Sequence, residues 1–266
     1  MTTLAISIIS CNSERTIRRV LESVAPLKAH IQVVDSGSTD ATISICEEFG
    51  AHIIHRDWNG PVEQNAFAFD QLKGFSWTLS LDSDEIIDDA MREHIKEVVE
   101  DVKCPNDGWE ISRKLEFLGE ILDHTFQPEW RMRLFRSDLV KVTGMGRNNL
   151  GGHNKYEVPG DVGKLRGTCY HASWESVSAM FRSYVRYGAR HASYVGTGGS
   201  LANVIFNAPH CFFKFFVLKK GFRDGHRGLL VCAAAAMGNL MKHLMVYSNN
   251  RLAKEGGEVK EERASL

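Results

Sequence analysis

The chain has 266 residues, 43% of them hydrophobic and 24% charged, with a formal net charge of -1. That is the make-up of an ordinary globular protein able to bury a full core, and it excludes a low-complexity chain. Cys11, Cys46, Cys104, Cys169, Cys211 and Cys232 are scattered without a C-x-x-C or a paired Cys/His spacing, which excludes a disulfide framework and a structural zinc site and fits a reducing compartment.

The chain passes from Met1 straight into Leu4 to Ser10, a short β-branched run expected to form a strand covered on both faces. No signal peptide is expected ahead of it. Asn12 or Ser13 is placed to cap a helix carrying Ile17, Val20, Leu21 and Val24 at helical spacing. Ile31 to Val34 predicts a second strand ending at Asp35. The turn Ser36-Gly37-Ser38-Thr39-Asp40 then opens a helix through Phe49. A third strand follows over Ala51 to His55, a helix from about Gln64 to Leu72, and a fourth strand over Trp77 to Leu81. The next helix, about Asp88 to Val102, sets Ile95, Val98, Val99 and Val102 on one face. After Pro105 the strands shorten, with Trp109 to Ser112 and Met132 to Phe135 the clearest. Thr143 to Gly163, rich in Gly and Asn, reads as a long loop, and helix resumes near Trp174.

Strands alternating with helices predict an α/β fold, a mostly parallel sheet with helices on both faces. Ligands of such sheets bind beyond the carboxyl ends of the strands. Those ends carry Ser10-Cys11-Asn12, Asp35-Ser36 and Asp82-Ser83-Asp84, so three polar clusters converge on one edge. Asp82 and Asp84 are alternate residues at a strand end and share a face, where both can reach one divalent cation. A cation there would neutralise a leaving diphosphate. The plainer alternative is that these acids cap the following helix along with Glu85, Asp88 and Asp89. If Ser38 or Thr39 caps its helix, Asp35 is free to accept hydrogen bonds from a ligand such as a nucleobase imide; otherwise Asp35 satisfies its own turn.

Three segments taken together, SCNSE at 10–14, VVDSGSTDAT at 33–42 and LSLDSDE at 79–85, resemble the nucleotide-binding half of the family 2 glycosyltransferases. RMRLFR at 131–136 and KLRGTCYH at 164–171 are similar to the branch that holds the lipopolysaccharide-core β-glucosyltransferase-like enzymes of Gram-negative bacteria. The likeness implies a GT-A fold, a mixed sheet with flanking helices. It also implies a UDP-sugar donor, Mg²⁺ or Mn²⁺, and transfer of glucose or another hexose with inversion. Carried over by position, Asp35 would bind uracil, with Ser10, Asn12 and Glu14 along the base-binding edge. Asp82 and Ser83 would face the ribose and diphosphate, and Asp84, with Asp82, would ligate the metal. Gln64-Asn65 stand where the family often has Gln-Lys-Asn, so the lysine contact is missing.

Inversion requires a base for the acceptor hydroxyl. The branch usually has His-Glu after the Arg-rich strand; here the matching residues are His153-Asn154, and Asn is no base. His153 has a suitable ordinary pKa, with Glu157 and Glu129 in reserve. Arg131 and Arg133 share a strand face and suit a phosphate on donor or acceptor, or pair with Glu129 and Glu110. Trp130 offers a platform for a sugar face or a buried anchor.

The division expected is a GT-A domain over 1–172 with its donor half at about 1–104 and its acceptor half at about 105–172, a helical region over 173–248, and a polar tail over 249–266. Between Lys164 and Arg227 ten cations face only Glu175 and Asp224, and Arg182, Arg186 and Arg190 form one stripe. In FFKFFVLKKGFRDGHR at 212–227, Phe212, Phe215 and Phe216 share a helical face beside Lys219, Lys220, Arg223 and Arg227. That pattern fits a helix lying on an anionic membrane, or a core helix with snorkelling lysines. The most apolar run, Leu229 to Met241, is too short to span a bilayer, so no transmembrane helix is expected. The location expected is cytoplasmic, peripheral on the inner face of the bacterial inner membrane, with a glycan or glycolipid acceptor and no nucleic acid. Transfer to a polyprenyl phosphate and a non-catalytic nucleotide-sugar-binding protein are the alternatives.

Overall fold

β1 (Leu4–Ser10) buries Ala5, Ile6 and Ile8 completely, the burial on both faces that a central parallel strand requires. The structure is a computed structural model in which residues 3–144, 154–194 and 200–254 are described. These divide into two compact units, one of residues 3–114, 128–144 and 154–172, the other of residues 115–127, 173–194 and 200–254.

In the first unit β1 lies between β2 (His30–Asp35) and β4 (Trp77–Asp82), parallel to both, with β3 (His52–His55) beyond β2. β8 (Trp130–Arg136) then runs antiparallel to β4, and β6 (Gly108–Phe117) antiparallel to β8. The strand order is β3-β2-β1-β4-β8-β6, followed by β12 (Cys169–Trp174) and β5 (Glu85–Ile87). β11 (Val162–Lys164) pairs with β6, and β7 (Glu120–Ile121) runs antiparallel to the far end of β6. This is the mixed α/β sheet of the GT-A type.

One face of the sheet is covered by α1 (Ile17–Val24), α2 (Thr42–Glu48) and α4 (Asp89–Glu100), whose Val20, Leu21, Ile45, Met91 and Ile95 pack with Ile6, Ile8 and Leu79. The other face carries α3 (Pro61–Asp70) and the hairpin of β9 (Lys141–Gly144) with β10 (Asn154–Glu157), which bury Phe69 and Tyr156 against Val34 and Phe135.

Several expectations change. Thr16, not Asn12 or Ser13, precedes α1, and its N-cap position makes no side-chain bond; the Ser13 carbonyl accepts from the N–H groups of Thr16 and Ile17 instead. α4 stops at Glu100, which leaves Val102 82% exposed rather than in the core. The stretch 143–163 is not wholly loop: its short strands find partners in β9 and β6, pairings that local composition does not reveal. β5 and β12 were likewise missed, being a three-residue strand paired with one some eighty residues later. Gly167 makes that return possible, at φ 87° with a Cβ that would sit 2.3 Å from the Met91 nitrogen.

The second unit is built on α5 (Val177–Tyr194), α6 (Leu201–Phe212) and α7 (Gly225–Lys254), with a π-helical turn Phe213–Leu218 and a 3₁₀ turn Gly221–Asp224 joining the last two. Its core is Leu115, Phe117, Leu122, Met180, Val231 and Ala234. The Asp224 carboxylate accepts from the N–H groups of Asp123, His124 and Thr125 and from the Thr125 hydroxyl, pinning 123–125 to the 3₁₀ turn. The length argument against a spanning helix and the start of the tail are both revised here. Leu201–Leu218 and Gly221–Leu252 are both long and apolar enough, by length and composition, to cross a membrane. The sequence run Leu229 to Met241 understated the second because α7 continues through its polar borders, and the first lies outside that run. Helix also continues past Asn249 to Lys254, into the stretch expected to be tail.

Candidate active site

The register of the parallel strands assembles the site. Ser10 lies opposite Asp35 across β1 and β2, and Ile9 opposite Asp82 across β1 and β4. The residues following β1 are tied to those following β2. The Asn12 N–H donates to Ser38 Oγ at 2.8 Å, the Thr39 N–H to Asn12 Oδ1 at 2.8 Å and the Ala41 N–H to Glu14 Oε2 at 3.0 Å. Asn12 sits at φ 49°, a left-handed position that Asn tolerates. Ser13 Oγ lies 2.8 Å from Ser83 Oγ and so joins this loop to the Asp82-Ser83-Asp84 turn.

Asp35 is not freed by a neighbouring cap. Its Oδ1 accepts from the N–H groups of Gly37 and Ser38 at 2.8 and 2.7 Å, and Ser38 Oγ donates to its Oδ2 at 2.5 Å. Neither Ser38 nor Thr39 caps α2, because both are committed to Asp35 and Asn12. Asp35 therefore shapes the turn. The choice between helix cap and ligand site for the downstream acids resolves differently. Asp88 caps α4, accepting from the Met91 N–H at 2.8 Å, and this leaves Asp82 and Asp84 outside the helix.

Asp82 and Asp84 meet His171 of β12. One ligand atom from each lies within 4.8 Å of the others. His171 Nε2 is 3.4 Å from Asp84 Oδ2, and the Ala172 N–H donates to the Asp84 carbonyl at 2.9 Å. Two carboxylates and an imidazole are a donor set that fits a divalent cation. Burial alone would lower the His171 pKa, but Asp84 outweighs it and raises it; burial would raise Asp84, and His171 pulls it below the usual carboxylate range.

Behind this group lies a buried ionic cluster. Glu85 is 0% exposed and accepts from Arg113 Nη1 at 3.0 Å, from Arg133 Nε and Nη2 at 2.9 and 2.8 Å, and from the Asp82 N–H at 3.0 Å. Burial by itself would push Glu85 up; Arg133 and Arg113 override it and hold the carboxyl far below its ordinary value. Arg133 Nη2 also donates to Asp82 Oδ2 at 2.6 Å. Burial raises the Asp82 carboxyl, Arg133 opposes this, and the like charges of Glu85 and Asp84 add to it. The Asp82 side chain nonetheless keeps 38% of its surface open, so a ligand can reach it.

The remaining expected residues fall as follows. Arg133 is 6% exposed and occupied by acids, so it offers no open phosphate site, whereas Arg131 is 38% exposed at its side chain and held by Glu129. Glu129 is engaged by Arg113 at 2.5 Å as well as by Arg131. Burial would raise it, but the two guanidiniums hold it low, which makes it a poor base. Glu157 pairs with Lys155 at 2.9 Å on β10. His153 lies outside the described residues. Trp130 carries Lys164 Nζ 4.4 Å from its ring centroid, so a cation occupies part of that ring's surroundings. Gln64 is buried, donating to Ser36 Oγ and the Arg56 carbonyl. Asn65 is spent inside the protein, donating to the Pro61 carbonyl and accepting from Tyr156 Oη. Gln64 therefore ties α3 to the residues after β2 and β3, and Asn65 ties it to Tyr156 of β10.

His171, Glu85 and Arg113 were not singled out by sequence. His171 stands at the end of KLRGTCYH, and a lone His there gave no spacing to the distant D-x-D; Glu85 read as one more acid after it.

Fold and site together define a glycosyltransferase of the GT-A type. Residues 5–137 match the family model "Glycosyl transferase family 2", and the chain belongs to that family. It is 25% identical over 263 residues to the lipopolysaccharide core biosynthesis glycosyltransferase LpsC of Rhizobium meliloti (strain 1021), a match covering 94% of this chain and 93% of LpsC. It is 24% identical over 232 residues to a glycosyltransferase of Rickettsia prowazekii (strain Madrid E), covering 84% and 79% of the two chains. Among solved structures, glucosyl-3-phosphoglycerate synthase from Mycobacterium tuberculosis in complex with Mg²⁺ and uridine diphosphate overlaps with a TM-score of 0.42 at 17% identity, over 75% of this chain and 81% of that one.

Proposed function

We propose that the protein is a metal-dependent, inverting hexosyltransferase that uses a UDP-sugar and acts on a lipopolysaccharide-core or similar lipid-linked glycan at the inner face of the bacterial inner membrane. The observation that carries the donor half of this reading is the grouping of Asp82, Asp84 and His171 at the carboxyl end of β4, beside the stitched loops after β1 and β2. The acceptor half is supported by the similarity to LpsC along nearly all of both chains.

In this reading the base lies along the loop edge formed by Ser10, Asn12, Glu14 and the turn that Asp35 holds. Asp82 and Ser83 face the ribose and diphosphate. Asp84 and His171, with Asp82, hold Mg²⁺ or Mn²⁺, which when bound supplies positive charge against the diphosphate. The acceptor hydroxyl oxygen forms a bond to the anomeric carbon as that carbon's bond to the diphosphate oxygen breaks. The bonding pair leaves with UDP, and the hydroxyl proton passes to a base, for which His153 is the choice, since Glu129 is held as a paired carboxylate and Glu157 by Lys155. Arg131, oriented by Glu129, meets a phosphate of donor or acceptor in this reading.

A second reading gains from one observation. Transfer to a polyprenyl phosphate fits a chain with apolar helices of spanning length, and Leu201–Leu218 and Gly221–Leu252 have that length.

The test is a panel of nucleotide sugars incubated with and without Mg²⁺ or Mn²⁺, following release of nucleoside diphosphate, with truncated core lipopolysaccharide and polyprenyl phosphate as competing acceptors. One UDP-sugar is expected to turn over with the core acceptor, and Asp84→Ala and His171→Ala to lower the rate by roughly 10²-fold or more, in the range seen when charge stabilisation of a leaving group is removed. Turnover unaffected by metal or by both substitutions sinks the metal-dependent reading. Turnover with polyprenyl phosphate alone selects the second.

A further inference from the structure

The helical unit wears part of its apolar surface outside. Along α6 and the π-helical turn that continues it, Leu201, Ile205, Pro209, Phe213 and Val217 recur every four residues and are all exposed. A second row, Ala202, Phe206, His210, Lys214 and Leu218, runs beside it and is exposed too. Phe206 is 69% open, Leu218 61% and Leu201 56%. Residues four apart on a helix share a face, so these rows make one stripe about 27 Å long at 1.5 Å per residue. The opposite side of α6, including buried Val204, faces its own unit. An ordinary surface helix has the reverse arrangement, apolar inward and polar outward. Of the 18 residues from Leu201 to Leu218 only Val204 is buried, far fewer than a core helix would enclose.

Charge at one end of the stripe says what covers it. Lys214, Lys220 and Arg223 are exposed there and Lys219 half-buried, with Phe222 open among them at 52%. The only acid in that stretch, Asp224, is turned inward onto the N–H groups of Asp123, His124 and Thr125. A row of aromatic and aliphatic side chains ending in unopposed cations is complementary to a bilayer with anionic headgroups: apolar area enters the acyl boundary while the cations stay at the phosphates.

We infer that the α6 stripe with the Lys214 to Arg223 corner is a monotopic docking surface for an anionic phospholipid bilayer, with the helix lying along the membrane rather than through it. This deepens the proposed location and rests on that reading only for what the docking serves. It also corrects the sequence-based choice of face. Phe212, Phe215 and Phe216 are each only half-exposed, and the outward positions are Phe213, Val217 and Leu218. A lone helix crossing the bilayer would present apolar surface all round. This one has its other side against protein, where Asn203 and Asn207 lie half-buried.

The probe is co-sedimentation of the full chain with vesicles of phosphatidylcholine, alone or with phosphatidylglycerol added, at low and high salt. Binding is expected to the anionic vesicles and to fall with salt. Phe206→Asp with Phe213→Asp should weaken it by more than tenfold, and Lys219→Glu with Lys220→Glu by roughly tenfold or more while abolishing the preference for phosphatidylglycerol, given about 1 kcal/mol per cation near such a surface. Because the substituted phenylalanines are exposed, unchanged far-ultraviolet dichroism and melting temperature are expected and separate docking from folding. Equal binding by wild type and the phenylalanine variant overturns the inference, as does a concentration-dependent dimer that the same variant dissolves without any vesicle binding by wild type. Retention in membranes after alkaline carbonate extraction overturns the monotopic geometry. None of these readouts needs a sugar donor, so failure here is distinct from failure of the transferase reading.

Discussion

Arg133 grips Glu85 through both carboxylate oxygens, Nε to Oε2 at 2.9 Å and Nη2 to Oε1 at 2.8 Å, and the same Nη2 reaches Asp82 Oδ2 at 2.6 Å. Because the Asp82 N–H also donates to Glu85 Oε2, one buried carboxylate fixes both the end of β4 and the guanidinium that orients Asp82. On the other side, Glu85 is paired with His171 in the register of β5 and β12. The two arms of the candidate metal group are thus hung from a single residue.

Glu85→Gln is therefore expected to be severe. It keeps the size of the side chain but leaves Arg113 and Arg133 facing a neutral amide. Removing one partner of a buried ion pair costs about 3–5 kcal/mol, because the remaining charge stays desolvated. Urea unfolding followed by fluorescence should show a loss of that order. A loss below about 1 kcal/mol would mean that the cluster is solvated and does not organise Asp82.

Glu129 gives the pH dependence. Burial opposes ionisation, but Arg113 and Arg131 outweigh it, so its folded pKa is below the unfolded one. A carboxyl depressed in this way contributes stability that is present above its unfolded pKa, about 4.3, and is lost as pH falls through the folded value. Wild type should lose stability on acidification below about pH 4.5 more steeply than Glu129→Gln, which is less stable near neutrality but has no such proton to take up. Parallel acid limbs for the two proteins, measured by denaturant midpoint against pH, would show that Glu129 is not held by its arginines in solution.

Much of this architecture is legible in the chain. β1, β2 and β4 announce themselves as short, mostly apolar runs ending in Ser10, Asp35 and Asp82, so the converging edge follows from local pattern. What the sequence hides is long-range. His171 joins Asp84 only because β12 returns beside β5, and nothing local to Cys169–Trp174 records that partner. Asp35 and Asp88 are the same residue type at the carboxyl ends of strands, yet one organises its own loop and the other caps a helix. Backbone geometry decides between them, and composition does not carry it.

The base can be separated from its reserves by rate. His153→Ala is expected to reduce kcat by about 10²–10⁴-fold, the usual worth of a general base, with donor KM little changed. Glu157→Gln, whose carboxylate is already paired with Lys155 and 46% exposed, should alter kcat by less than about threefold, within the range of an exposed pair. Steady-state kinetics with the acceptor present decides. The reverse pattern would move the base to Glu157 and leave His153 outside the mechanism.

Gly238 tests how the helical unit is assembled. A Cβ there would lie 2.5 Å from Tyr184 Cγ and 2.9 Å from Tyr184 Cβ. These are the near atoms of an α5 side chain whose ring also packs against Trp174, so a small rotamer change cannot make room and the helices must part. Two effects compete in Gly238→Ala. Helix propensity favours alanine by about 1 kcal/mol, and overpacking costs about 1–3 kcal/mol. Contact this close places the cost at the upper end, so a net loss of about 1–2 kcal/mol is expected. For a chain of this size that corresponds to a melting temperature lower by roughly 2–8 °C. An unchanged or raised melting temperature would mean that α5 and α7 sit further apart than Gly238 and Tyr184 imply.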